Sequence, residues 1–206
     1  GNFLIVLTVM TSRSLGSPMY FFLSYLSFME ICYSSATAPK LISDLLAERK
    51  VISWWGCMAQ LFFLHFFGGT EIFLLTVMSY DRYLAICQPL CYRVLMTGPL
   101  CIRLAAGSWF CCFLLTAITM VLLCRLTFCG PYETDHFFCD FTPLVHLSCM
   151  DTSVTETIAF ATSSAVTLIP FLLIVASYSC VLSAILRIPS CTGQKKAFST
   201  CSSHLT

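Results

Sequence analysis

Charge is scarce in this sequence. Asp, Glu, Lys and Arg make up only 10% of its 206 residues, against roughly 25% in water-soluble domains. A formal net charge of +1 supplies no basic field for nucleic acid and no acidic field for a basic partner. There is a single asparagine, Asn2, and no Asn-x-Ser/Thr glycosylation acceptor. No linker rich in Gly, Ser or Pro divides the chain, which argues for one domain over residues 1–206, and no internal repeat is visible. No secretory signal is visible in these residues, with neither a basic region nor a small-residue cleavage site at the apolar run that opens at Gly1. What replaces charge is apolar surface. Hydrophobic residues reach 58%, Phe alone occurs 18 times, and the mean hydropathy is +0.85. Such a composition excludes an ordinary soluble domain and points to an all-α, polytopic membrane helical bundle.

About 20 apolar residues are needed to cross the hydrocarbon core as a helix. Four stretches reach that length: Pro18 to about Leu46, Cys57 to about Ile86, Leu100 to about Leu123, and Glu156 to about Leu186. Gly1 to about Met10 is shorter and reads as the inner half of a span. Ser12 to Ser17 form a polar loop, and Pro18 opens the next helix at a favoured first-turn position. Trp54 and Trp55 suit a membrane–water interface. Residues 124–155 form a polar segment too long and too charged to lie in lipid. Pro170 predicts a kink within the last full span. The chain starts inside an apolar run, and Lys195 to Thr206 open a further helical pattern. Both ends are therefore expected to be internal to a longer protein.

Basic residues orient the bundle. With the Ser12–Ser17 loop in the cytoplasm, Arg13, Arg82, Arg93, Arg103, Arg187, Lys195 and Lys196 fall inside, and Lys40, Arg49, Lys50 and Arg125 outside. Loops this short obey the positive-inside rule. Residues 124–155 then face the exterior. Four of the fourteen cysteines lie at that outer side: Cys57, Cys129, Cys139 and Cys149. An oxidising exterior favours disulfides, and four cysteines allow three pairings. A zinc site is the alternative, but ten-residue gaps do not match the usual ligand spacing. The remaining cysteines are read mostly as small apolar core residues.

Two carboxylates stand inside apolar spans, Glu30 and Glu71, with Asn2 at a comparable depth. Such groups are costly in lipid unless paired, protonated or facing water. The three could enclose a cation such as Na⁺, share a proton, or form an interhelical hydrogen-bonded set without an ion. At the inner end of the third span stand Asp81, Arg82 and Tyr83. On chemistry alone this pair could simply snorkel to the headgroups.

Met78-Ser79-Tyr80-Asp81-Arg82-Tyr83-Leu84-Ala85-Ile86-Cys87, followed by Gln88-Pro89-Leu90-Cys91-Tyr92, closely resembles the odorant-receptor form of the Asp-Arg-Tyr motif of rhodopsin-like receptors. Further blocks agree in order and spacing. Pro18 to Ser24 is similar to that family's opening of the second helix, and Ser34-Ser35 to Pro39-Lys40 to its outer end. Ser177-Tyr178 resembles the inner end of the fifth helix, Lys195 to Leu205 the start of the sixth, and Gly1-Asn2 the first-helix pair. The likeness runs through the whole chain.

The resemblance implies a seven-helix receptor fold, here running from the inner half of helix one to the start of helix six. Residues 124–155 would be its long extracellular loop. It implies a multi-pass protein of the plasma membrane that binds a small volatile odorant and signals to a stimulatory heterotrimeric G protein and adenylyl cyclase. Arg82 would be the switch, restrained at rest by Asp81; Tyr83 and Tyr178 would support it. Cys57 would pair with Cys139 and Cys129 with Cys149, while Trp109 would pack the fourth helix. The odorant would lie between helices three, five and six. Expected lining residues are His65, Gly68, Gly69 and Ile72 on one side and Phe160, Thr162, Ser163 and Val166 on the other. The two glycines would either make room for ligand or let helices pack closely. Where the family usually carries Asp, this sequence has Glu30, which keeps the carboxylate on a longer arm. Two other function classes could draw on residues of this chain. A transporter would draw on Glu30 and Glu71 and should show symmetry between halves. An intramembrane enzyme would need a nucleophile and a base at one depth, and His65 with nearby Ser or Cys supplies no such pair.

Overall fold

The computed structural model describes residues 1–12, 17–46, 54–127, 141–146 and 148–187. Helices in chain order are α1 (Asn2–Thr11), α2 (Pro18–Leu46), α3 (Trp54–Cys87), α4 (Pro89–Leu95), α5 (Gly98–Cys124), α6 (Phe141–His146) and α7 (Ser153–Leu186). The architecture is an all-helical bundle of membrane-spanning length, as the hydropathy pattern predicts. Expectations placed on Arg13, Arg49, Lys50, Cys129, Cys139 and the block from Lys195 onward lie outside the described residues.

Three helices, α3, α5 and α7, are long and apolar enough to cross a membrane. The fourth expected span, α2, has the length at 29 residues but a more polar composition. Ser24, Ser27, Glu30 and the Tyr33-Ser34-Ser35 run dilute its apolar face. Ser27 turns inward and is buried, as are Phe22 and Met29 beside it, so part of this polarity is spent on neighbouring helices rather than lipid. The helices α5 and α7 do the reverse. Phe110, Phe113, Ile169, Phe171 and Leu172 point outward, a surface that only hydrocarbon accommodates.

Helix α3 is the axis, packed against α2, α4, α5 and α7, while α1 leans on α2. At 34 residues it is about 50 Å long, well beyond a hydrocarbon core of roughly 30 Å. Its ends therefore reach the two membrane faces. The inner core joins Phe22 and Met29 of α2 to Leu74, Met78 and Leu84 of α3 and to Met96, Cys101 and Ala105. The outer core joins Cys57, Met58 and Leu61 to Leu123 and to Leu144 and Val145 of α6. A buried stripe of mostly small residues on α5 (Cys101, Ala105, Ser108, Cys112, Thr116) recurs at helical spacing and lets α3 approach closely.

Two short helices were not foreseen. Pro89 sits in the first turn of α4, where its missing N–H costs nothing, and α6 folds inside the long outer loop. Before α7, Asp151 accepts hydrogen bonds from the Ser153 backbone N–H at 3.0 Å and from its hydroxyl. Those bonds hold the Asp151 carboxyl below the usual carboxylate range. The α7 helix then continues through buried Pro170 without interruption. Away from Cys57 and Cys149, Cys101 and Cys112 are buried, Cys32 and Cys87 are half-buried, and Cys91, Cys111, Cys124 and Cys180 are exposed. Half of them thus lie on the outer surface rather than in the core.

Candidate functional site

At its inner end α3 buries a charged pair. Asp81 is 1% exposed and Arg82 11%, and Arg82 Nη2 donates to Asp81 Oδ2 at 2.9 Å. The hydroxyl of Tyr92, on α4, donates to the other oxygen, Asp81 Oδ1, also at 2.9 Å. Both oxygens of a buried carboxylate are satisfied in this way, as burial demands. Arg82 Nε, also buried, has no hydrogen-bond partner among the described residues. Burial, then the adjacent Asp81 carboxylate and the hydrogen bond to it, push the Tyr92 phenol well above its ordinary value, so it remains a donor. Tyr83 packs against Val181 and Ile185 of α7, and its ring stacks on Tyr80 at 6.3 Å. Tyr178 lies about one turn earlier on α7 and is half-buried. The four residues expected at this end are thus distributed over α3 and the α7 segment that packs on it. Tyr92 is the addition: it belongs to the motif, but its contact with Asp81 emerges only from the fold. A proline opening a helical turn directly after the motif was the signal.

Midway along the bundle, Asn2 Nδ2 donates to Glu30 Oε2. Glu71 Oε1 is buried with no hydrogen-bond partner among the described residues, whereas Glu30 is exposed on α2. Among the described residues, no three His, Cys, Asp or Glu side chains cluster tightly enough to hold a metal ion.

Farther out, His65 Nδ1 bonds the Leu61 carbonyl at 2.9 Å. A carbonyl only accepts, so Nδ1 is the donor in this contact. Gly68 faces the Tyr33 ring, at 3.7 Å from the position a Cβ would take. Beside Gly69 the space is filled: a Cβ there would stand 3.0 Å from Cys112 Sγ and 3.8 Å from Val166 Cγ1. Gly69 therefore works as a close-packing point between α3, α5 and α7. Ile72, Thr162 and Val166 are half-buried, and Thr162 Oγ1 donates to the Ile158 and Ala159 carbonyls. Ser163 is exposed and Phe160 is 76% exposed, on a different side of α7 from Ala159, Val166 and Pro170. A cavity of about 560 Å³ lies between α1 and α2, lined by residues such as Val6, Met10, Phe21, Ser24, Tyr25 and Phe28. None of the residues expected to contact a ligand lines it. Trp109 stacks edge-on against Phe66 at 5.6 Å, its buried Nε1 without a hydrogen-bond partner among the described residues.

The Gly69 contact predicts that Gly69→Ala lowers the thermal midpoint of the folded protein, by an amount equivalent to about 1–3 kcal/mol. Cys112→Ala in the same chain should recover most of the loss. A double variant no more stable than Gly69→Ala would show that Cys112 is not the obstacle.

At the outer end Cys57 and Cys149 are each disulfide-bonded. The expected partners, Cys139 and Cys129, lie outside the described residues. Cys149 is also anchored by its backbone N–H, which donates to the Thr127 carbonyl at 3.1 Å.

A family model of olfactory receptors matches residues 1–206. The chain belongs to the olfactory receptor family. Human olfactory receptor 4X2 is 62% identical over 204 residues, covering 99% of this chain and 67% of that receptor. Human olfactory receptor 4S2 is 52% identical over the full chain and 66% of its own length, and mouse olfactory receptor 4B13 is 48% identical with 67% of its length covered. The chain thus spans about two thirds of the curated relatives it matches. As an olfactory receptor it is a multi-pass protein of the plasma membrane, in a family of G-protein-coupled receptors and not of enzymes, which sets aside the enzyme reading.

Proposed function

We propose that this olfactory receptor chain carries the switch end of a receptor that binds a small volatile odorant and activates a stimulatory heterotrimeric G protein, and through it adenylyl cyclase. The observation that carries the reading is the buried Asp81–Arg82 pair at the inner end of the central helix, in a chain that matches olfactory receptors from end to end. A guanidinium held by one intramolecular carboxylate is a charge that a partner protein can recruit. An odorant would bind the active arrangement better than the resting one, and only that difference in affinity moves the equilibrium. His65 Nε2 and the half-buried face of Ile72, Thr162 and Val166 are its proposed contacts, with Gly68 flanking them. A ligand of about ten heavy atoms has limited interaction energy, so affinity should be modest.

The test is a cyclic-AMP assay in cells bearing the full-length receptor, exposed to a panel of small alcohols, aldehydes and esters. A dose-dependent rise that disappears when the stimulatory G protein is deleted is expected. A response routed through another G protein, with cyclic AMP unchanged, would count against the adenylyl cyclase coupling.

A second element of the reading concerns Asn2, Glu30 and Glu71. The unpartnered Glu71 oxygen beside the Asn2–Glu30 bond supports a bound Na⁺ or a shared proton at mid-membrane. Replacing Na⁺ by choline should change basal signalling of the receptor and leave Glu71→Gln unaffected. Equal sodium dependence in both would remove the ion from this site.

A further inference from the structure

Gln60, on α3 just inward of Cys57, is 8% exposed, and neither its Nε2 nor its Oε1 has a hydrogen-bond partner among the described residues. An amide taken out of water without partners costs about 2–7 kcal/mol, so two orphan atoms on one buried side chain call for an explanation. At about 100° per residue, Leu64, Phe67 and Glu71 share the face of α3 that Gln60 occupies. That face turns to α2: Phe67 packs on the core that holds Phe22 and Met29, and the neighbouring Gly68 faces the Tyr33 ring. His65 and Ile72 lie roughly 120–140° further round the helix. Glu71 is about 16 Å further in along the axis, too far to bond Gln60. Between them Leu64 and Phe67, with Tyr33 opposite, are only half-buried, so an apolar strip with accessible surface runs inward from the amide.

We propose that Gln60 is a specificity-determining contact for the odorant, recognising a ligand whose polar end carries a donor and an acceptor side by side, as in a primary carboxamide or an un-ionised carboxylic acid. This rests on the reading of the chain as part of an odorant receptor and names a ligand class for it. The Gln60 amide presents its own N–H and C=O on one edge. A ligand of this class closes a ring of two hydrogen bonds: its carbonyl accepts from Nε2, and its N–H or O–H donates to Oε1. Both orphan atoms are then satisfied at once. A ketone, aldehyde or ester only accepts and leaves Oε1 unpaired, which a buried site penalises strongly. An ionised carboxylate brings no donor and adds an uncompensated charge. The hydrocarbon tail of the ligand would lie along Leu64 and Phe67.

The experiment compares straight-chain primary amides with methyl ketones of the same skeleton, in which a methyl group replaces the amide nitrogen and the donor is lost. Apparent affinity is read from the ligand dependence of the thermal midpoint of the purified full-length receptor, with cyclic AMP measured in parallel in cells. The amides should bind at least about tenfold more tightly than their ketones. Gln60→Met should remove that preference, weakening the amides by about tenfold and leaving the ketones within about twofold. Its midpoint without ligand should equal or exceed the parent's, because the orphan amide is gone. No amide binding, equal affinity for amides and ketones, or a preference that survives Gln60→Met overturns the proposal. So does a Gln60→Met midpoint well below the parent's, which would make Gln60 a residue of the fold alone. The two readings fail separately. Preferential amide binding without cyclic AMP sinks the signalling reading and leaves Gln60 as the contact, whereas cyclic AMP evoked only by ligands lacking a donor sinks the role of Gln60 and leaves the receptor reading.

Discussion

Arg82→Ala is expected to reduce odorant-evoked cyclic AMP by more than about tenfold at matched surface level, the scale of a coupling worth over 1.4 kcal/mol. Matching the level is essential, because the substitution acts on stability as well. It leaves Asp81, 1% exposed, with Tyr92 as its donor, and breaking a buried ion pair from one side costs roughly 3–5 kcal/mol. The companion variant Asp81→Asn/Arg82→Ala removes the stranded charge. It should recover much of the surface level and none of the signalling. Recovery of both would mean that Arg82 serves the fold alone.

Loss of Cys57 should be equally severe for a different reason. Cys57 is disulfide-bonded and is itself buried in the outer core with Met58, Leu61, Leu123, Leu144 and Val145. The bond ties the outer end of α3 to a distant part of the chain. Removing a native disulfide typically costs 2–5 kcal/mol, much of a typical margin of about 5–15 kcal/mol. Cys57→Ser should therefore leave little receptor at the cell surface, whereas Cys124→Ser, at an exposed free cysteine, should leave the level unchanged. Equal surface levels in the two variants would show that the bond is dispensable. Peptide mapping under non-reducing conditions, with Cys57 joined to Cys139 and Cys129 to Cys149, is the accompanying expectation.

The spans were legible because long apolar runs have one physical explanation, and their ends fall within a few residues of the helix bounds. Helix phase was less legible. In α7 both the bundle side and the lipid side are apolar, so hydropathy cannot tell Val166, which meets Gly69, from Phe160, which points outward. A turn of about 100° per residue separates Phe160 from Ala159 and Ser163 from Thr162, and no polar stripe marks the difference. Gly69 was legible as a close approach or an opening; only the position of Cys112 on another helix decides between them. Short helices such as α4 and α6 lack the length for a periodic signal. The Asn2–Glu30 contact was readable from depth, since polar groups at one level in lipid seek one another. The Tyr92–Asp81 contact needed the turn made by Pro89.

The measurement closest to the core of this account is the sidedness of α3's two ends. Tyr132→Asn would create an Asn-x-Thr acceptor in the long loop, and Leu95→Asn would create one beside α4, in a chain that otherwise has none. Expressed in cells, the Tyr132→Asn protein should gain a glycan removable by glycosidase, and the Leu95→Asn protein should not. A glycan on Leu95→Asn, with none on Tyr132→Asn, would place the Asp81–Arg82–Tyr92 cluster outside the cell and contradict the receptor reading.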